Sequence, residues 1–189
     1  MKFSKMIFVL AIAASAVFVG MMGTSYAYYT ATATDIDITT GTVDNGISVV
    51  FTDNNYVNVK TGVPVDNEDQ VKANTFTITP NQTALNGYDA YVNISLINVK
   101  IDDALKVSDF KYSLKCNNTV ISSGDGTSLN TGTNISLGSL STEDNTFTSS
   151  STYTCYFRVW IANSTESQNE LMNKKFSGLL KVNTVMRKQ

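Results

Sequence analysis

Between Tyr88 and Val99 apolar and polar residues alternate one by one: Tyr91, Asn93, Ser95 and Ile97 fall on one side of an extended chain, and Val92, Ile94, Leu96 and Asn98 on the other. The same period of two separates Phe157, Val159 and Ile161 from Tyr156, Arg158 and Trp160. A period of two is the signature of half-buried strands, and it recurs along most of the chain after residue 30. It predicts strands at Thr34 to Thr39, Ile47 to Thr52, Tyr56 to Val59, Ala73 to Thr79, Tyr88 to Val99, Phe110 to Cys116, Asn134 to Leu140, Thr152 to Ala162 and Gly178 to Thr184. Val92, Ile94, Leu96, Phe157, Val159 and Ile161 are the predicted core. Trp160 lies on the opposite face, to pack beneath a loop or to contribute to an exposed patch.

The separators support this division. Thr40-Gly41, Asp44-Asn45-Gly46, Asn86-Gly87, Ser122 to Gly126 and Asn130-Thr131-Gly132 are rich in residues that tolerate turns. Two segments break the β pattern, Ile101 to Ser108 and Asn163 to Lys175, and read as helical turns on loops; Ser164 or Thr165 is placed to cap the second. The expected fold is all-β: a single β-sandwich, jelly-roll-like or Ig-like, with one or two short helical turns on loops. No internal repeat, long linker or second domain interrupts it.

The first thirty residues follow a different rule. Lys2 and Lys5 precede an apolar run from Met6 to Gly23, which ends in Thr24-Ser25-Tyr26-Ala27-Tyr28-Tyr29. Ser25 and Ala27 are the small residues a signal peptidase requires before a cut between Ala27 and Tyr28. Residues 1–27 are thus expected to be a signal peptide and 28–189 a secreted domain that meets the membrane only through the signal segment before cleavage. The alternative is an uncleaved anchor, since the run could just span a bilayer. In both cases the folded part faces away from the cytoplasm.

Export changes the reading of the cysteines. The chain has two, Cys116 and Cys155, and an even count in an exported protein predicts one disulfide. Closing a loop of about 40 residues stabilises a fold by roughly 4 kcal/mol in the chain-entropy model. The formal charge of −2 gives no electrostatic basis for a nucleic-acid partner, and the local cations Lys181, Arg187 and Lys188 read as a solvated terminus.

Candidate chemistry is sparse. The chain contains no histidine, which excludes Ser-His-Asp and Cys-His catalysis and the His-Glu-x-x-His zinc motif. No glycine-rich phosphate loop is present, and no cofactor is expected. Acidic residues occur in small groups: Asp35 with Asp37, Asp66 with Glu68 and Asp69, Asp102 with Asp103, and Glu143 with Asp144. Of these, Asp66, Glu68 and Asp69 are the best calcium candidates, set against the plainer reading of solvated loop carboxylates. Asn-x-Ser/Thr sequons begin at Asn81, Asn93, Asn117, Asn134 and Asn163, and Asn93 lies inside the longest strand pattern, which argues against reading all of them as glycan sites.

The join Gly23-Thr-Ser-Tyr-Ala27-Tyr-Tyr-Thr30, followed at once by a polar alternating strand, resembles the TasA/camelysin group of proteins exported by Gram-positive bacteria. So does the late segment Tyr156-Phe-Arg-Val-Trp160-Ile, with Met172-Asn-Lys-Lys-Phe176-Ser-Gly178-Leu-Leu-Lys181-Val after a polar loop. The likeness covers the signal junction and the final third of the chain. It implies a jelly-roll-like sandwich that assembles into extracellular fibres of a biofilm matrix, the freed N-terminal strand of one subunit completing the sheet of the next. The matching segment here is Tyr28 to Ile38; the alternative is that it forms this domain's own first strand or a frayed terminus. Camelysins carry a metallopeptidase label, but no zinc-ligand motif matches this sequence, so no catalytic residue is carried over.

The function expected from these features is a non-enzymatic structural protein of the bacterial surface or matrix whose partners are copies of itself or other surface proteins. A surface adhesin or carbohydrate-binding module using Trp160, Tyr156 and loop carboxylates is the alternative.

Overall fold

In the computed structural model, residues 29–33, 41–42, 46–52 and 54–189 are described. The signal segment 1–27, its cleavage pair Ala27 and Tyr28, and the strand expected at Thr34 to Thr39 lie outside them. The strands are β1 (Tyr29–Ala33), β2 (Gly41–Thr42), β3 (Ile47–Phe51), β4 (Tyr56–Lys60), β5 (Asn74–Pro80), β6 (Tyr88–Ile101), β7 (Phe110–Cys116), β8 (Thr119–Asp125), β9 (Ile135–Ser141), β10 (Tyr153–Ile161) and β11 (Lys175–Lys188).

They form two antiparallel sheets packed as a sandwich. One runs β1-β11-β6-β9, with β4 beside β1 on the same edge of β11; the other runs β2-β3-β5-β10-β7-β8. Among the described strands only the neighbours β2–β3 and β7–β8 stay within a sheet. Every other connection crosses from one sheet to the other, so residues distant in sequence meet across the core.

The expected alternation determines which side chains are inside. Val92, Ile94 and Leu96 of β6 and Phe157, Val159 and Ile161 of β10 are all buried, as predicted. They meet Phe76, Leu114, Leu180 and Val182 in one continuous core. Phe110 of β7 and Phe176 of β11 bring their rings to 5.3 Å between centroids and so bind one sheet to the other.

Three local features depart from the sequence reading. Alternation carried through Asn98 would turn that residue inward. Instead Asn98 adopts φ 54° at a bulge, and Val99 takes the core position. The stretch Ser122 to Gly126, read as a separator, belongs largely to β8, an edge strand. The turn before it is Asn117-Asn118, with φ of 46° and 66°, the backbone that a tight hairpin requires. Finally, the described residues hold four short 3₁₀ turns rather than one or two: Glu68–Gln70, Asp103–Leu105, Gly126–Ser128 and Asn169–Leu171. The last begins after Gln168, not after Ser164 or Thr165. The Gln168 amide is drawn inward instead, donating to Asp109 Oδ2 at 2.6 Å and to the Ala162 carbonyl at 2.8 Å.

Cys116 and Cys155 form the expected disulfide and stand directly opposite each other on β7 and β10. They join two neighbouring interior strands of the second sheet. Replacing both by alanine is expected to lower the unfolding free energy by roughly 2–4 kcal/mol. A denaturant titration measures it, and an unchanged midpoint would remove the disulfide from the account of stability.

Candidate functional site

Strand β4 reads Tyr-Val-Asn-Val-Lys. Its alternation buries Val57 and half-buries Val59, leaving Tyr56, Asn58 and Lys60 exposed. Beyond Lys60 the chain does not turn straight back into β5 but runs as a strap across the second sheet. Three attachments hold this strap. The buried Thr61 accepts at Oγ1 from the Lys174 amide at 2.9 Å, donates to the Leu171 carbonyl, and exchanges backbone bonds with Asn173 and Lys174. Val65 makes a parallel bridge with Ala162 just beyond β10. The turn at Glu68–Gln70 is closed by a capping box in which Asn67 accepts from the Asp69 amide and Gln70 accepts from the Asn67 amide.

The pairing of β5 with β10 ends at Asn74 opposite Phe157, while the strap returns only at Ala162. The gap between those two points opens a cleft of about 650 Å³ between β4 and β10, lined by Tyr56, Asn58, Gln70, Asn74 and Trp160 among others. Trp160, predicted to lie on the face away from the core, is half-buried in its wall. Tyr156 shares that face of β10 but does not line the cleft: it lies under the Arg158 guanidinium, 5.2 Å from its ring centroid. The sequence reading paired Trp160 with Tyr156, whereas the fold pairs it with Tyr56. The alternation in β4 was the available signal for Tyr56 and Asn58; the approach of β4 to β10 was not encoded locally.

The three calcium candidates point to different partners. Asp66 accepts from the Asn163 amide at 2.9 Å, and Asp69 faces the Arg158 guanidinium at 3.4 Å. Glu68 turns inward to accept from the Ser113 hydroxyl and to pair with Lys115. Among the described residues no group of acidic, cysteine or histidine side chains gathers around a common point. Asp35 and Asp37 lie outside the described residues; the remaining acidic pairs are engaged, Asp102 accepting from the Lys175 amide, Asp103 from Lys106, Glu143 from the Tyr91 hydroxyl and Asp144 from Thr146.

Glu68 is the electrostatic latch of the strap. Burial pushes its carboxyl up, but hydrogen bonds from Lys115 and Ser113, with the charges of Lys115 and Arg158, outweigh this and hold it below the ordinary value of 4.5.

A second feature is the edge of β11 opposite β6, which two strands share. Its first part, Lys175 to Leu179, pairs with β4, and the Leu180 amide donates to the Asn55 carbonyl at 2.8 Å. Its last part pairs with β1, from Val182 opposite Ala33 to Met186 opposite Tyr29. Of the expected donor segment Tyr28 to Ile38, Tyr29–Ala33 form a strand of this chain's own sheet, the alternative reading of that segment, and its other residues lie outside those described. Among the described residues no helix is long and apolar enough to cross a membrane.

Comparison with known proteins adds no relative: no family model, no curated protein and no solved structure matches this chain.

Because the carboxyl of Glu68 is more acidic in the fold than in the unfolded chain, its ionic contribution is present above the unfolded value and is lost as pH falls through the folded one. Glu68→Gln is expected to cost about 1–2 kcal/mol at pH 7 and nothing relative to the parent once both are below that window. Urea titrations of both proteins from pH 7 downward measure the difference, and a loss that does not shrink as pH falls would show that the charge is not what holds the strap.

Proposed function

We propose that this chain is a secreted, non-enzymatic structural protein of the bacterial cell surface or biofilm matrix, and that it assembles by exchanging its N-terminal strand between copies. The observation that carries this reading is the pairing of β1 with the last part of β11, alongside β4. An edge strand at one end of a chain makes the same backbone bonds whether it comes from its own subunit or from a neighbour. The closed subunit and the exchanged one then differ in which copy supplies the strand, not in the contacts it makes. Withdrawal of β1 leaves Val182 to Met186 as an unpaired row of amides and carbonyls, which favours replacement by an identical strand.

Further support comes from the signal-like first 27 residues, the disulfide, which suits an oxidising compartment, and the resemblance to the TasA/camelysin group at the signal junction and in the final third. The absence of histidine from the chain and the engagement of the described acidic pairs in turns and ion pairs favour a structural role over a catalytic one.

Purified chains beginning at Tyr28 and at Thr39 separate the outcomes. The longer is expected to form filaments, seen by size-exclusion chromatography and negative-stain microscopy, and the shorter to remain monomeric. A synthetic peptide of residues 28–38 is expected to raise the melting temperature of the shorter chain, and a scrambled peptide to leave it unchanged. Monomers from both chains, with no response to the peptide, would overturn the proposal.

A further inference from the structure

We infer that the cleft between β4 and β10 binds a neutral oligosaccharide, with the Trp160 indole as its stacking platform. A pyranose ring has a C–H face that packs on an aromatic ring and a rim of hydroxyls that both donate and accept hydrogen bonds. The cleft presents the matching groups. Trp160 lies in its wall and Tyr56, 46% exposed, at its side. Asn58, Asn74 and Gln70 supply carboxamides, a group that can both donate and accept, with one N–H of Asn74 already given to the Tyr56 carbonyl at 3.3 Å. The capping box engages the Gln70 carbonyl oxygen and leaves its amide nitrogen as the group that can donate to a ligand.

Volume and charge narrow the class. About 650 Å³ lies within the range of small-ligand sites and suits a few linked sugars in an open cleft. Among the described residues no carboxylate lines the cleft: Asp66, Glu68 and Asp69 are turned onto Asn163, Lys115 and Arg158. Lys60 and Lys72 do line it, but Lys72 has an interaction of its own, and the remaining lining is carboxamide, hydroxyl, aromatic or aliphatic. Both walls are held in place before a ligand arrives: β4 by its ladder to β11, and the strap by Thr61, by the Val65 bridge and by Glu68. Little ordering therefore opposes binding. The cleft keeps these groups whether or not β1 is exchanged, since none of them belongs to that strand.

Trp160 is the sole tryptophan, so intrinsic fluorescence reports on this site directly. The purified protein is titrated with cellohexaose, maltohexaose and chitohexaose, and with polygalacturonate as the acidic comparison. A saturable change in emission with at least one neutral hexasaccharide is expected, with a weaker response or none to polygalacturonate. The double substitution of Tyr56→Ala and Asn58→Ala, both exposed side chains, is expected to weaken binding at least about tenfold without changing the circular dichroism. Three results would overturn the inference: no saturable change with any neutral sugar at low-millimolar concentration, a response confined to polygalacturonate, or neutral binding that survives both substitutions.

Discussion

The antiparallel pairing of β6 with β11 is the constraint on which the first sheet depends. Each strand has 14 residues, and the ladder runs from Phe176 opposite Ile101 to Lys188 opposite Tyr88. Its inner face carries Val92, Ile94 and Leu96 against Leu180, Val182 and Thr184, all buried. Its outer edge is the surface on which β4 and β1 are laid. Because β11 is the last strand of the chain and β1 and β4 are among the first, the sheet closes only when the chain's distant parts have met. Such long-range pairings carry the loop-closure cost before they gain hydrophobic burial.

The second sheet is secured differently. Its interior strands β10 and β7 are cross-linked by the disulfide, and its outer face is overlain by the strap rather than by another layer of structure. Burying the Glu68 carboxylate would be unfavourable by itself; Lys115 and Ser113 offset that cost by giving its oxygens partners. The strap is thus joined to the sheet by this polar contact together with the backbone bridge of Val65 to Ala162. The cleft is the space between that bridge and the end of the β5–β10 ladder.

Much of the fold was legible in the sequence because alternation is a local property. The faces of β6 and β10, and the limits of β7 from Phe110 to Cys116, followed from the period alone. The disulfide followed from the count of cysteines together with the signal-like leader. What escaped was set by less regular features. The pair of asparagines before β8 forms the hairpin turn while Ser-Ser-Gly continues as an edge strand, the reverse of what composition suggests. A bulge at Asn98 shifts the phase of β6 by one residue, which no pattern of period two records. The wall of the cleft joins Tyr56 to Trp160 across about a hundred residues, and that meeting is a property of topology.

The antiparallel arrangement of β1 and β11 also determines how the molecule answers to mechanical load. Tyr29 faces Met186, so the start of one strand and the end of the other lie at the same end of their ladder. Tension between Tyr29 and Lys188 peels the ladder open and is borne by one hydrogen bond at a time. Ala33 lies at the opposite end, facing Val182. Tension between Ala33 and Lys188 therefore acts along the strands and is shared by every bond at once. The same five-residue ladder is thus weak against a pull at Tyr29 and strong against a pull at Ala33.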